Sequence, residues 1–305
     1  MSTNITASTY NNLRDRLNLV LGVGSTGYGQ NLASTVVQSG QTFTNSMWNN
    51  LRSDMLKARQ HQTGVDESGN ITAVTTSTQI TSSLIAQYDN FVTLITTNQR
   101  VCASNQATVE TMSAAVRSLA WNGVIAHSLT LSFTDTLRAR YFFNAGGQIR
   151  FTASRTGAAA TTKDTDWTNV LSSMGTIRMD HNSTAFLAGG SGSGSARGFY
   201  NLTVASQQIY SKGSSVYAYT ENDYNIAASV NNSTTPSNII LRIEFRDDDT
   251  GNQPQPPPGP PPFGPKVDET VTGTLTSTVF IFRPSGSNVS VVAPTVQGVG
   301  TNTIV

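Results

Sequence analysis

Apolar residues near the start of the chain recur at helical spacing. Leu13, Leu17 and Leu21 fall at i, i+4 and i+8, with Tyr10 one turn earlier and Gly22 as a stop. A second helix is predicted from Asn45 to Gln62. Thr44 is placed to cap it, Trp48, Leu51, Met55 and Ala58 form its stripe, and Gly64 lies just past its end. Residues 22–40 form a glycine- and serine-rich connection between the two. The next stretch is the most regular: Leu84, Tyr88, Phe91 and Ile95 follow 4-3-4 spacing. The register continues through Asn98, Cys102, Asn105, Val109, Met112, Val116 and Leu119, the alternation of a coiled-coil seam. Polar Asn98 and Asn105 and the Thr96–Thr97 pair weaken it, so a helical hairpin or a break near 97–106, or a strand over Val109–Trp121, fits as well. The apolar stripe then serves either self-association or packing within the chain.

From Trp121 the period changes to two. Leu129, Leu131 and Phe133 alternate with polar residues, Leu137, Ala139, Tyr141 and Phe143 with Arg138, Arg140 and Phe142, and Ile149, Phe151 and Ala153 resume the alternation after the Asn144–Gly147 turn. The last two runs predict a hairpin, because glycine accepts the positive φ such turns need. A short helix is expected at Asp164–Met174 and a strand at Thr176–Asp180. Further strands are expected near 200–210, 215–220, 224–231, 238–246, 270–283 and 288–293. Short strands divided by Gly, Asn and Pro predict a mainly β chain: an antiparallel, jelly-roll-like β-sandwich over 120–305, preceded by a helical anchoring segment over 1–119. The run PQPPPGPPPFGP within 253–265 reads as a polyproline II insertion between two strands. Its Pro256, Pro257, Pro258, Pro260, Pro261 and Pro262 are candidate contact residues.

Composition narrows the function. Ser, Thr and Asn supply about a third of the 305 residues, while charged residues are only 12% and the formal net charge is +1. A duplex nucleic acid or an anionic membrane calls for a basic excess that this chain lacks. Apolar runs are too short to span a bilayer, and residues 1–20 lack a signal-peptide pattern. Cys102 is the single cysteine, which excludes an internal disulfide framework. Asn-x-Ser/Thr triplets are as frequent as this composition produces by chance and carry no weight.

Motifs for catalysis fail in context. Gly22, Gly24 and Gly27 match GxGxxG, but a helix precedes them and no acidic residue follows at 41–50. His61, His127 and His181 lie far apart, with no metal-ligand spacing, and no nucleophile elbow or P-loop is present. Asp247, Asp248 and Asp249 have calcium-ligand character, yet three consecutive residues of one strand cannot all face inward. Tyr217, Tyr219 and Tyr224 near Glu221 could stack on sugar rings, which raises a glycan contact as an alternative; a depolymerase would need Glu221 as a catalytic acid. No catalytic residue, metal site or cofactor is expected.

Several segments carry a likeness: WNNLRSDMLKARQHQTG (48–64), RYFFNAGGQIRFTASRTG (140–157), EFRDDDTGN (244–252) and VDETVTGTLTSTVFIFRPSGSNVSVVAP (267–294), with GYGQ at 27–30. Together they resemble tail-associated virion structural proteins of contractile-tailed, cyanophage-type bacteriophages. The resemblance implies a non-enzymatic virion protein of the tail, baseplate or fibre region, assembled in the host cytoplasm. Alternatives are a neck or capsid-surface protein and a host-glycan-binding module. Its implied partners are further copies of itself, as a trimer or hexamer, and other virion proteins. The proline-rich run departs from the likeness.

Overall fold

The computed structural model describes residues 6–216, 219–249 and 268–304, with backbone alone for 299–304. Its chain divides into two compact units: residues 1–109, 135–147 and 282–293 form the first, and residues 110–134, 148–281 and 294–305 the second. The expected single boundary at 119/120 is therefore replaced by an interleaved path. Among the described residues there are five α-helices and ten strands, the strands in two five-stranded antiparallel sheets, so helix and sheet have comparable weight.

The first unit holds helices α1 (Ala7–Leu21), α2 (Asn45–Thr63), α3 (Ser82–Thr97) and α4 (Thr136–Asn144). Threonine caps the first three: Thr6, Thr44 and Thr81 accept from the backbone N–H of Thr9, Met47 and Leu84. Gly64 ends α2 at φ 77°, a left-handed conformation that glycine adopts without strain. The stripe predicted on α2 faces the core, where Trp48 sits edge-on between Tyr10 (5.4 Å) and Tyr88 (5.2 Å). The Gly/Ser connection is pinned from below by Asp54, which is fully buried. Its carboxylate accepts from the N–H groups of Ala33 (3.1 Å) and Ser34 (2.8 Å) and from the Ser34 hydroxyl (2.8 Å), and pairs with Lys57. Asp54→Ala strands those donors and is expected to cost about 2–3 kcal/mol. Limited proteolysis would report it as faster cleavage within 22–40; an unchanged cleavage rate would refute this role.

The glycines of the GxGxxG match also work structurally. A Cβ on Gly27 would lie 2.0 Å from the Gly22 carbonyl oxygen. The Asn144 side-chain amide donates to the carbonyls of Ser25 and Gly27, both at 3.0 Å, so this turn is held by protein groups.

One expectation is corrected here, and one open alternative, a break after the 84–95 stripe with a strand beyond it, is met. Residues 136–144 form a helix rather than a strand: Asp135 caps it by accepting from Arg138 N–H, and Ala139 with Tyr141–Asn144 is buried. Three successive aromatic or apolar residues satisfy either period, and the Asp cap decides. The 84–119 seam ends at Thr97. Hydroxyls of Thr93, Thr96 and Thr97 bond back to carbonyls four residues earlier, and the Asn98 amide closes the Leu94 carbonyl.

The second unit contains both sheets, except residues 107–109 of the first strand and 282–284 of the ninth, which belong to the first unit. One has the order β1 (Ala107–Arg117), β9 (Thr274–Pro284), β3 (Gln148–Thr156), β4 (Ile177–Met179), β5 (Thr184–Phe186). The other runs β10 (Thr295–Ile304), β2 (Gly123–Ser132), β8 (Asn238–Asp247), β7 (Asp223–Val230), β6 (Gln207–Gly213). Strand β8 pairs along its whole length with β2, from Gly123↔Asp247 to Ser132↔Asn238, and with β7 on its other side. The strand expected at 288–293 is not formed beyond a bridge at Ser290; β10 follows it instead. Residues 219–221 lie in a turn, where a strand over 215–220 was expected. Helix α5 (Thr162–Met174) presents Trp167, Val170, Leu171 and Met174 inward. Rings run from Trp121 through Trp167 and Phe245 to Tyr224 and Tyr210, with neighbouring centroids 5.0 to 6.3 Å apart.

Candidate functional site

The densest chemistry in the second unit surrounds a lysine. Lys163 is the second residue of α5, whose start is fixed by a capping box: Thr161 accepts from Asp164 N–H while the Asp164 carboxylate accepts from Thr161 N–H. Four residues on, Trp167 points into the core, and the i, i+4 spacing puts Lys163 on the same inward face. The Lys163 side chain has no solvent exposure. An ammonium there, beside the positive end of the helix dipole, requires strong compensation.

Three carboxylates provide it. Nζ lies 3.1 and 3.2 Å from the two oxygens of Asp247, 3.2 Å from Asp249 and 3.0 Å from Asp268. Asp247 ends β8, and strand alternation turns Asp247 and Asp249 inward while Asp248 points out to pair with Arg246. A ring of bonds supports these groups. Arg155 pairs with Asp164 at 2.9 Å, Asp164 also accepts from the N–H and hydroxyl of Thr272 at 2.7 Å, and Asn122 donates to Asp268. Glu269 accepts from Lys163 N–H and from the Tyr219 hydroxyl, at 3.2 and 2.9 Å.

The protonation equilibria follow from this crowding. Burial raises the Asp247 carboxyl to about 6; Lys163 opposes the rise, and the charges of Asp268 and Asp249 add to it. For Lys163, burial acts against the charged form, but bonds to Asp268, Asp247 and Asp249 prevail and hold its pKa above the ordinary value. Asp268 is shifted down: burial is outweighed by hydrogen bonds from Asn122 and Lys163.

Asp249 and Asp268 also border the segment that carries Pro256, Pro257, Pro258, Pro260, Pro261 and Pro262. Those prolines lie outside the described residues, but the chain entering and the chain leaving them meet on one ammonium.

The other predicted positions are scattered. Leu84, Tyr88, Phe91 and Ile95 are 8, 0, 4 and 0% exposed, because α1 and α2 of the same unit already cover the stripe. It therefore has no surface to offer a second copy, and the self-association role is corrected to intramolecular packing. The glycan platform is corrected as well. Tyr219 and Tyr224 are buried, Tyr224 against Phe245 and Tyr210, so neither face can stack on a sugar; Glu221 is exposed and stands apart from them. Tyr217 lies outside the described residues. Asp247 and Asp249 face an ammonium rather than a cation site, and no group of three or more metal-ligating side chains occurs among the described residues. Also among them, no helix is long and apolar enough to cross a membrane.

Sequence reasoning missed Lys163, Arg155 and Asp268. A readable signal existed: Thr161-x-x-Asp164 is a capping signature, and it places Lys163 in register with Trp167. Comparison with protein-family models, with curated proteins and with solved structures finds no match to this chain.

Proposed function

We propose that this chain is a structural component of a tailed-phage virion, in the tail, baseplate or fibre region, which acts through protein–protein assembly and not through catalysis. A neck or capsid-surface position is the alternative. The second unit is read as a β-sandwich. His127 on β2 supports that reading: it is fully buried, and its ring nitrogens meet Ser113 of β1 at 3.0 Å and Ser277 of β9 at 2.9 Å, so the two sheets face one another there. The nested neighbours β1/β9 and β2/β8 suit a jelly-roll-like wrap, with β6–β8 a simple meander.

The observation that carries the assembly reading is strand β1, which lies at the edge of its sheet among the described residues. It is 11 residues long, nearly all of its positions are at least partly exposed, and it has no Lys or Pro to blunt pairing. Val116 is 59% exposed, and Leu119 just beyond it is 71% exposed. Natural proteins shorten, charge or cover such edges unless they use them. A second copy of the chain is the occupant argued for, with β1 as the seam between subunits in a trimer or hexamer. Light scattering after size exclusion should give a discrete oligomer, and Val116→Lys should shift it toward monomer by at least tenfold in dissociation constant. A wild-type chain that stays monomeric at all concentrations would overturn the proposal.

A further inference from the structure

We propose that Lys163 and Asp247 become joined by an intramolecular isopeptide bond between Lys163 Nζ and the side-chain carboxyl carbon of Asp247. This inference stands apart from the virion reading and rests on geometry. Nζ straddles both Asp247 oxygens, at 3.1 and 3.2 Å, so it faces the carboxyl group as a whole. Neither side chain has any solvent exposure. Both are mounted on rigid elements: Lys163 on a doubly capped helix start, Asp247 at the end of a strand paired on both sides. Held reactants at such separations react as though at very high concentration.

Burial works toward condensation, against the three carboxylates that hold the resting ammonium charged. Trp167 lies one turn after Lys163, Phe245 lies two residues before Asp247, and these rings contact one another at 6.3 Å. Both side chains of the pair are shut off from solvent, and a dry site penalises two charges far more than a neutral amine with a carboxylic acid. The elevated Asp247 equilibrium is consistent with a carboxyl group that takes up a proton readily.

The remaining carboxylates supply the proton relay. Asp249 and Asp268 each reach Nζ within 3.2 Å, and the side chain of Asp268 is 39% exposed, which opens a route to solvent. The ammonium passes a proton through one of them to Asp247, and the free amine attacks Cγ of the carboxylic acid so formed. The Nζ–Cγ bond forms, Nζ gives up a second proton through the same relay to the Asp247 hydroxyl, the Cγ–O bond breaks, and that oxygen leaves as water. An ammonium and a carboxylate become an amide and a water, so atoms and charge balance with no oxidant, metal or nucleotide.

The test is the mass of the purified full-length chain. The wild type is expected about 18 Da below the mass of its sequence, one water, and proteolysis should release a branched peptide joining Lys163 to Asp247. Lys163→Arg keeps a cation among the carboxylates but cannot form the amide, so it should fold, by circular dichroism, and show the full mass. Asp247→Ala should show the full mass too, and Asp249→Asn or Asp268→Asn should slow formation, whichever serves as relay. Full mass in the wild type after prolonged incubation, with Lys163 recovered in a linear peptide, overturns the proposal. A branch at Asp249 or Asp268 overturns the assignment to Asp247.

Discussion

Measured against the chain before the Lys163–Asp247 amide has formed, replacing Lys163 by Met is expected to lower the unfolding free energy by about 3–5 kcal/mol, the usual cost of deleting one partner from a buried charge cluster. Methionine fills a similar volume, so little of the loss comes from packing. It comes from Asp247 and Asp249, which are 3 and 6% exposed and would face each other without the ammonium. Pairing the change with Asp247→Leu should recover a large part of the loss, because a buried ion pair replaced by apolar groups is often neutral in stability. Urea unfolding of the wild type and the two variants measures this. Equal destabilisation in the single and double variants would mean that the cluster is not where the energy lies.

The second large effect is a loss of stability in acid, driven by His61 in the first unit. Its ring is fully buried, Nε2 lies 2.8 Å from the Ala145 carbonyl oxygen, and the Tyr28 ring packs edge-on at 5.1 Å. Burial lowers its pKa to about 4; the bond to Ala145 opposes this only in part. The unfolded chain thus binds a proton near pH 6.5 that the folded chain refuses until about pH 4. The contribution is complete above pH 6.5 and drains away as pH falls through that window, by about 3 kcal/mol. Asp247, as long as its carboxyl is unlinked, acts in the opposite sense. Its folded value of about 6 lies above the ordinary 3.8, so its contribution is complete below 3.8 and lost as pH rises through 6. Asp164 and Asp268, both shifted down, contribute above 3.8 and lose that contribution as acid protonates them. Denaturation of wild type and His61→Gln between pH 4 and 7 separates these effects, since glutamine keeps a donor but does not titrate. The variant should show a flatter acid limb; an unchanged slope would exclude His61 as the cause.

How far the fold was legible depends on the kind of signal. Helix α2 was readable from both ends, because Thr44 and Gly64 are local devices that act through two or three neighbouring residues. Helix α4 was misread because Tyr141, Phe142 and Phe143 are all buried, a pattern that fits either period, and the Asp135 cap went unweighed. The seam ran on past Thr97 because its register positions Val109 and Val116 are apolar, yet they belong to an exposed edge strand that needs no buried face. Strand β10 was missed since Gly298 and Gly300 dilute its alternation. The lysine site was the least legible. Its members come from 155, 163–164, 247–249 and 268–272, and only the fold of the second unit brings them together.

The anchoring of Asp249 and Asp268 on one ammonium has an evolutionary consequence. Once both ends of an insertion are fixed to the same point, its length matters little to the host fold, since each doubling of a closed loop costs only about 0.6 kcal/mol. The stretch between them can lengthen, shorten or change composition from one lineage to the next while the framework beneath is left under separate selection. Variation can gather at that place without a toll on folding, and a foreign peptide could be grafted there on the same terms.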